Sequence, residues 1–125
     1  MAKTILIIED EDILLGLLQR QLKAEGYIVH TAEDGEAGLA AMRQLKPDLV
    51  LLDVVMPKKD GFELLEEKQK DEILKNIPVI IISNSGQPVE ITRAQALGVD
   101  DWMIKTEFDP QEVTAKVKKA FEKMG

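Results

Sequence analysis

The sequence predicts an α/β domain with a parallel sheet covered by helices on both faces, and three observations carry that expectation. Thr4-Ile5-Leu6-Ile7-Ile8, Leu49-Val50-Leu51-Leu52 and Val79-Ile80-Ile81-Ile82 are short apolar runs without polar alternation, as strands buried on both faces are. Between them lie segments of helical period, so strand and helix alternate along the chain. Each run also stops abruptly at polar residues: Glu9-Asp10-Glu11-Asp12 after the first, Asp53 after the second and Ser83-Asn84-Ser85-Gly86 after the third. In open α/β sheets the ligand crevice lies just beyond the carboxyl ends of the strands, so these stops are candidate chemistry.

From Ile13 the period changes: Leu14, Leu17, Leu18 and Leu22 share a helical face, Arg20, Lys23 and Glu25 lie elsewhere, and Gly26 supplies a C-terminal stop. Tyr27 to Ala32 reads as a short strand. Asp34-Gly35 reads as the turn before a helix through Ala37, Leu39, Ala40, Met42 and Leu45, which Pro47 ends. Past Asp53, Met56-Pro57 begins a turn and Lys58-Lys59-Asp60-Gly61 a polar loop. Phe62, Leu64, Leu65, Ile73 and Leu74 then suggest one helix reaching toward Pro78, with a solvated outer face at Glu66-Glu67 and Asp71-Glu72. A helix from about Val89 to Leu97, stopped by Gly98, leads to a brief strand at Trp102-Met103-Ile104 that ends at Lys105. Asp109-Pro110-Gln111-Glu112 has the N-cap, first-turn proline and third-position glutamate of a capping box, and the last helix runs to about Met124.

Composition narrows the function classes. A chain of 125 residues with 45% apolar content is the size of one domain with one core, and residues 1–125 contain no repeat, linker or low-complexity segment. Without cysteine there is no disulfide framework and no thiolate metal site. No apolar stretch approaches ~20 residues and no signal pattern opens the chain, so the expectation is a cytoplasmic protein that does not insert into membranes. A net charge of −7 disfavours direct binding to nucleic acid, which needs a basic face; proteins are the expected partners.

Short connections and right-handed crossovers favour strand order 2-1-3-4-5, a flavodoxin-like doubly wound (βα)5 three-layer sandwich. Its switch point lies between the first and third strands, which end at Glu9-Asp10 and Asp53, and Ser83 and Lys105 arrive at the same edge. Close carboxylates repel and raise one another's pKa unless something offsets the charge. A hard divalent cation does so, and Mg²⁺ takes a few carboxylate oxygens, waters and a phosphate rather than a full protein cage. In that arrangement Asp53 is a nucleophile forming an acyl phosphate, while Lys105 and the Ser83 hydroxyl bind phosphoryl oxygens that the metal leaves uncovered. Singly, each residue has an ordinary reading: a solvated strand end for Glu9 and Asp10, a cap for Asp53 or Ser83, a surface lysine for Lys105, a core aromatic for Trp102. The coincidence at one edge argues for chemistry. His30, the single histidine, reads as an ordinary strand residue.

In these residues the chain resembles bacterial response-regulator receiver domains of the stand-alone, chemotaxis-regulator-like kind, over essentially its whole length. The family pattern is an acidic pair after the first strand, an Asp after the third followed by Met-Pro and Asp-Gly, a Ser/Thr after the fourth and a Lys after the fifth. Here these are Glu9-Asp10, Asp53, Met56-Pro57, Asp60-Gly61, Ser83 and Lys105. The resemblance implies a two-component phosphorelay switch in which Asp53 accepts phosphate from a phosphohistidine of a histidine kinase or histidine phosphotransfer protein. It further implies Mg²⁺ held by Glu9, Asp10, Asp53 and the Val55 backbone carbonyl. Trp102, three residues before Lys105, stands where the family places an aromatic that rotates inward as the Ser/Thr moves toward the phosphoryl group. The surface around the fourth helix, fifth strand and fifth helix would present the state to a downstream protein. Such a protein catalyses its own phosphorylation and slow dephosphorylation, is not otherwise an enzyme, and is a monomer or weak dimer. Because the sequence ends with its fifth helix, a receiver without an output domain is expected.

Three residues depart from the family pattern. Asn84 is larger than the usual small residue after the switch Ser/Thr, an indole at Trp102 swings less freely than Tyr or Phe, and Thr106 replaces the proline after Lys105. A cis bond before a residue other than proline costs ~2.5–4 kcal/mol, so a trans Lys105–Thr106 bond is expected, with Lys105 still reaching Asp53. Rival functions fit less well. Aspartyl-phosphate hydrolases commonly place an acid two residues past the nucleophile, where this chain has Val55. A flavin module would need a Ser/Thr/Gly-rich loop after the first strand, and no Gly-x-x-x-x-Gly-Lys loop is present. The remaining alternative is a degenerate receiver that binds partners without phosphorylation.

Overall fold

Five strands and five helices alternate through the computed structural model, which describes residues 2–55, 59–84, 86–106 and 109–123. Strands β1 (Thr4–Ile8), β2 (Ile28–Ala32), β3 (Leu49–Asp53), β4 (Val79–Ser83) and β5 (Asp101–Ile104) form one parallel sheet in the order β2-β1-β3-β4-β5. The helices are α1 (Asp12–Ala24), α2 (Gly35–Leu45), α3 (Gly61–Gln69), α4 (Pro88–Ala96) and α5 (Pro110–Lys123). The expected flavodoxin-like architecture is therefore the one observed.

Every residue of β3 and β4 is buried, which explains why neither strand alternates polar with apolar residues. Successive side chains enter two different cores. Leu6, Ile8, Val50, Leu52, Val79 and Ile81 pack with Leu39 and Met42 of α2, Leu64 and Leu65 of α3 and Ala94 of α4. On the opposite face Ile5, Ile7, Leu49, Leu51, Ile80, Ile82 and Met103 meet α1 through Leu15, Leu18 and Leu22, and α5 through Val113 and Val117.

Several boundaries differ from the sequence reading. Asp34-Gly35 is not a turn ahead of α2 but its N-cap and first residue: the Asp34 side chain accepts from the Ala37 N–H at 2.8 Å. Nor do Phe62 and Ile73 share a helix. α3 ends at Gln69, and residues 72–76 form turns that bury Leu74 but leave Ile73 exposed. Asp71 accepts from the N–H groups of Ile73 and Leu74, a local side-chain pairing that competes with helix continuation. The polar loop before α3 carries a capping box between Asp60 and Glu63. At Asp109 the side chain accepts from the Glu112 N–H at 2.9 Å, the N-cap contact expected there. Met56-Pro57, Lys58, Ser85 and the proposed end of α5 at Met124 lie outside the described residues.

The acidic outer face of α3 is more engaged than simple solvation. Glu66 pairs with Arg93 of α4 at 3.0 Å, the Arg93 guanidinium sits 4.3 Å from the centroid of the Phe62 ring, and Glu67 pairs with Lys59. Lys68, on the same helix, is buried and donates to the Lys75 carbonyl at 3.0 Å, tying α3 to the turns that follow. Burial lowers the Lys68 pKa, against the opposing charge of Asp100.

Gly61 brings the start of α3 against the end of β3. A Cβ there would lie 2.6 Å from the Val54 Cα and 2.9 Å from the Asp53 carbonyl oxygen, both backbone atoms that cannot rotate away. Gly61→Ala is expected to destabilise the protein by about 1–3 kcal/mol through this overpacking. Urea unfolding checks it: an unchanged midpoint would mean that the two elements separate without cost.

Candidate functional site

The carboxyl edge of the sheet gathers side chains from four strand ends. Glu9 follows β1; its N–H donates to the Ala32 carbonyl at 3.0 Å, and the side chain is 1% exposed. Asp53 closes β3 in register with Ile82, and Ser83 closes β4 in register with Ile104; each is 3% exposed. Lys105 leaves β5 with its N–H on the Ser83 carbonyl at 2.7 Å, which pulls the start of that loop over β4. Asp10 is exposed beside them.

The Lys105 ammonium joins these groups. Its Nζ donates to Asp53 Oδ2 at 2.9 Å, Glu9 Oε2 at 3.1 Å and Glu11 Oε2 at 2.7 Å. Asp53 Oδ1 accepts from the Val55 N–H at 3.1 Å, and Glu9 Oε2 also accepts from the Glu11 N–H at 3.1 Å. Val55 thus meets the cluster through its N–H, while its side chain is exposed. Among the described residues no peptide bond is cis, so Lys105–Thr106 is trans and Lys105 reaches Asp53 all the same.

Burial raises the Glu9 pKa to about 7; the Glu11 N–H opposes this, the Asp53 charge adds to it and Lys105 works against it. Carboxylate repulsion, the cause expected from the sequence, is therefore secondary to desolvation here. Burial pulls the Lys105 pKa down, but hydrogen bonds to Glu11, Asp53 and Glu9 outweigh it and hold the ammonium well above the ordinary lysine range.

One carboxylate oxygen each from Glu9, Asp10 and Asp53 lies within 4.8 Å of the others. Glu9 Oε1 is 3.1 Å from the Lys105 Nζ, yet it is buried and has no hydrogen-bond partner among the described residues. A buried oxygen in that condition, facing a set of hard carboxylate donors, fits a hard divalent cation such as Mg²⁺.

Trp102 is not part of this cluster. It sits half-buried on β5 in register with Ile81, packs against the core shared by α2, α3 and α4, and lines a cavity of about 170 Å³ with Ile91, Ala94 and Val99. Asn84 is exposed beyond β4, and His30 is exposed on β2. Glu11 is the site residue that sequence reasoning passed over as one acid among four. It is the N-cap of α1 yet makes no side-chain cap; glutamate is not among the favoured capping residues, and that mismatch was the available signal.

The model of the family described as "Response regulator receiver domain" matches residues 5–118, and the chain belongs to that family. It is 38% identical over 118 residues to the alkaline phosphatase synthesis transcriptional regulatory protein PhoP of Bacillus subtilis (strain 168), covering 94% of this chain and 48% of that protein. The chain thus spans about half the length of the curated relatives it matches. The phosphorylated cyanobacterial phytochrome response regulator RcpA superposes with a TM-score of 0.83 at 33% identity, over 98% of this chain and 93% of that one. The Mn(2+)-bound form of response regulator Rcp1 does so with a TM-score of 0.78 at 31% identity, over 85% and 83%. Among the described residues no helix is long and apolar enough to cross a membrane.

Because the folded-state pKa of Glu9 is raised, its contribution to stability is fully present below about 4.5 and is lost as pH rises through about 7. Without divalent metal, stability is expected to fall across that window by up to about 1.4 kcal/mol per pH unit from this group. Mg²⁺ at 100-fold above its pH 8 dissociation constant should restore ~2.7 kcal/mol at pH 8, and the same concentration less at pH 5, where Glu9 is protonated. Melting curves with Mg²⁺ and with chelator at both pH values check this; equal metal shifts at the two would remove Glu9 from the metal site.

Proposed function

We propose that this chain is a phosphorylation-dependent signalling switch in which Asp53 accepts a phosphoryl group from a phosphohistidine of a histidine kinase or phosphotransfer protein. The observation that carries the reading is the buried Lys105 ammonium 2.9 Å from Asp53 Oδ2, beside the Glu9, Asp10 and Asp53 cluster. An Asp53 carboxylate oxygen attacks phosphorus, the P–N bond to the donor imidazole breaks with its electron pair left on nitrogen, and an aspartyl phosphate results. Lys105 and the Ser83 hydroxyl bind the phosphoryl oxygens and stabilise the charge they carry. Mg²⁺, held by Glu9, Asp10, Asp53 and the Val55 carbonyl, would neutralise charge on the donor phosphate and the acids.

The chain is on this reading a signalling protein that catalyses its own phosphorylation and slow dephosphorylation. Two residues past Asp53, exposed Val55 offers no acid or base to aim a hydrolytic water, which favours a phosphoryl group that persists. The state is passed to a downstream protein through α4, β5 and α5, with Ser83 and Trp102 as the moving parts. A cytoplasmic monomer or weak dimer suits that role. The Mn(2+)-bound and phosphorylated forms recorded for two structural relatives support the metal and phosphoryl assignments.

Acetyl phosphate with Mg²⁺ should add one phosphate by intact mass to the wild type and none to Asp53→Ala, whose circular dichroism should be unchanged. Phosphate retained on Asp53→Ala would overturn the assignment. Lys105→Ala should lower the phosphorylation rate by a factor of ten or more, on the order of the loss of one charged transition-state contact.

Trp102 is the single tryptophan, so its emission reports one site. Beryllofluoride with Mg²⁺ is expected to change its intensity or its quenching by iodide. Identical emission and quenching with and without beryllofluoride would end the aromatic-switch role while leaving phosphorylation in place.

A further inference from the structure

Lys105 has no hydrogen-bond donor to spare. An ammonium carries three N–H groups, and here all three are committed to carboxylates: Glu9, Glu11 and Asp53. A phosphoryl group on Asp53 needs at least one of them, so one acid must let go. Glu9 and the Asp53 carboxylate are almost wholly buried, whereas the Glu11 side chain is 55% exposed and water can replace its lost partner. Glu11 also makes the shortest of the three contacts, at 2.7 Å. It stands at the N-cap of α1, where a side chain ordinarily accepts from the first-turn N–H groups, but it is turned away from them toward Lys105.

We propose that Glu11 is a positioning residue that latches Lys105 in the unphosphorylated protein and surrenders it to the phosphoryl group, so that breaking the Glu11–Lys105 contact sets part of the barrier to phosphorylation. This rests on the phosphoacceptor reading of Asp53. In the latched state the ammonium is shared among three acids. In the phosphorylated state the phosphoryl oxygens, of higher charge and closer to Lys105 than Glu11 can remain, take the third N–H. The Glu11 carboxylate turns to solvent, or to the α1 N–H groups it leaves uncapped.

Glu11→Gln separates this from a general effect of negative charge near the site, with Asp12→Asn as its control. Asp12 is exposed in the first turn of α1 and carries the same charge one residue on, but it is not one of the carboxylates on Lys105. With acetyl phosphate and saturating Mg²⁺, Glu11→Gln should raise the limiting phosphorylation rate roughly two- to fivefold, the range of a half-exposed ion pair. The donor concentration for half-maximal rate should change little. Asp12→Asn should leave the limiting rate unchanged. A general repulsion of the anionic donor would instead lower the half-maximal concentration in both variants, and that outcome overturns the latch, as does a Glu11→Gln rate equal to or below wild type.

A second measurement needs no phosphodonor: hydrogen exchange of the Lys105 ammonium, followed by nitrogen-15 NMR in the metal-free protein, should quicken in Glu11→Gln and not in Asp12→Asn. If wild type takes up no phosphate, the phosphoacceptor reading fails and the latch with it, while this exchange still decides whether Glu11 holds Lys105; with phosphorylation intact, exchange unchanged by Glu11→Gln overturns the latch.

Discussion

Burial of β3 and β4 on both faces is the constraint from which the site geometry descends. A strand with one solvated face can slip and lose half its packing, but here a slip of one residue exchanges two cores at once: Leu49 and Leu51 for Val50 and Leu52. The register is held from both sides by α2, α3 and α4 on one face and α1 and α5 on the other. That register sets Asp53 opposite Ile82, Ser83 opposite Ile104 and Glu9 against Ala32. A lysine one residue past β5 then needs only its own side-chain length to reach an aspartate two strands away. Gly61 contributes from below, since the approach of α3 to Val54 leaves no room for a side chain there.

What the edge gains in precision it loses in electrostatic comfort. One ammonium faces the carboxylates of Glu9, Glu11 and Asp53, with Asp10 close by. Desolvation makes an ionised Glu9 costly there and raises its pKa to about 7. A surface cluster would dissipate such charge into water, but Glu9 and Asp53 are out of water's reach. The site is therefore poised to accept positive charge, and on the proposed function a cation there would make room for an incoming phosphoryl group. On that reading stability and function pull against each other at these few residues, as they do at sites held ready for chemistry.

Most of the sheet was legible because its evidence is local. Unbroken Ile, Leu and Val runs bounded by proline or acid admit few other readings, and the alternation with helices fixes their parallel sense. Asp53, Glu9, Asp10 and Ser83 were legible because each stands at the end of such a run, and Lys105 because it follows the brief strand Trp102-Met103-Ile104. What escaped was of another kind. Leu74 is buried as the end of a helix would be, yet it is carried there by turns that Asp71 organises, and hydrophobic period cannot tell these apart. Asp60 and Glu63 form a capping box whose spacing stands in the sequence, but it was hidden in the run Lys58-Lys59-Asp60-Gly61, which reads as a loop. Lys68 hides its stem and charge inside α3's packing, where composition predicts a solvated residue. Glu11 was lost in a run of four acids, because its role depends on where a lysine 94 residues away projects.

Trp102 and the acid cluster lie apart, and Trp102 borders the helix that buries the fewest side chains. Of all the helices, α4 contributes a single buried residue, Ala94, and it borders the cavity of about 170 Å³ that Trp102 lines. Its outer link to α3 is the half-exposed Glu66–Arg93 pair over Phe62, worth little in stability. Elements with few buried contacts open at low cost, so α4, which gives one buried side chain to the core it shares with α2 and α3, is the helix that shifts with the least loss of packing. The bridge from the site to that helix is short: Lys105 donates its N–H to Ser83, Ser83 pairs in register with Ile104, and Trp102 lies two residues further back along the same strand. On the proposed function, a displacement of Ser83 toward a phosphoryl group therefore acts on β5 at the point where the adjoining helix resists least. On that function, rigidity where the chemistry is placed and looseness where the state is read would follow from the same distribution of buried side chains.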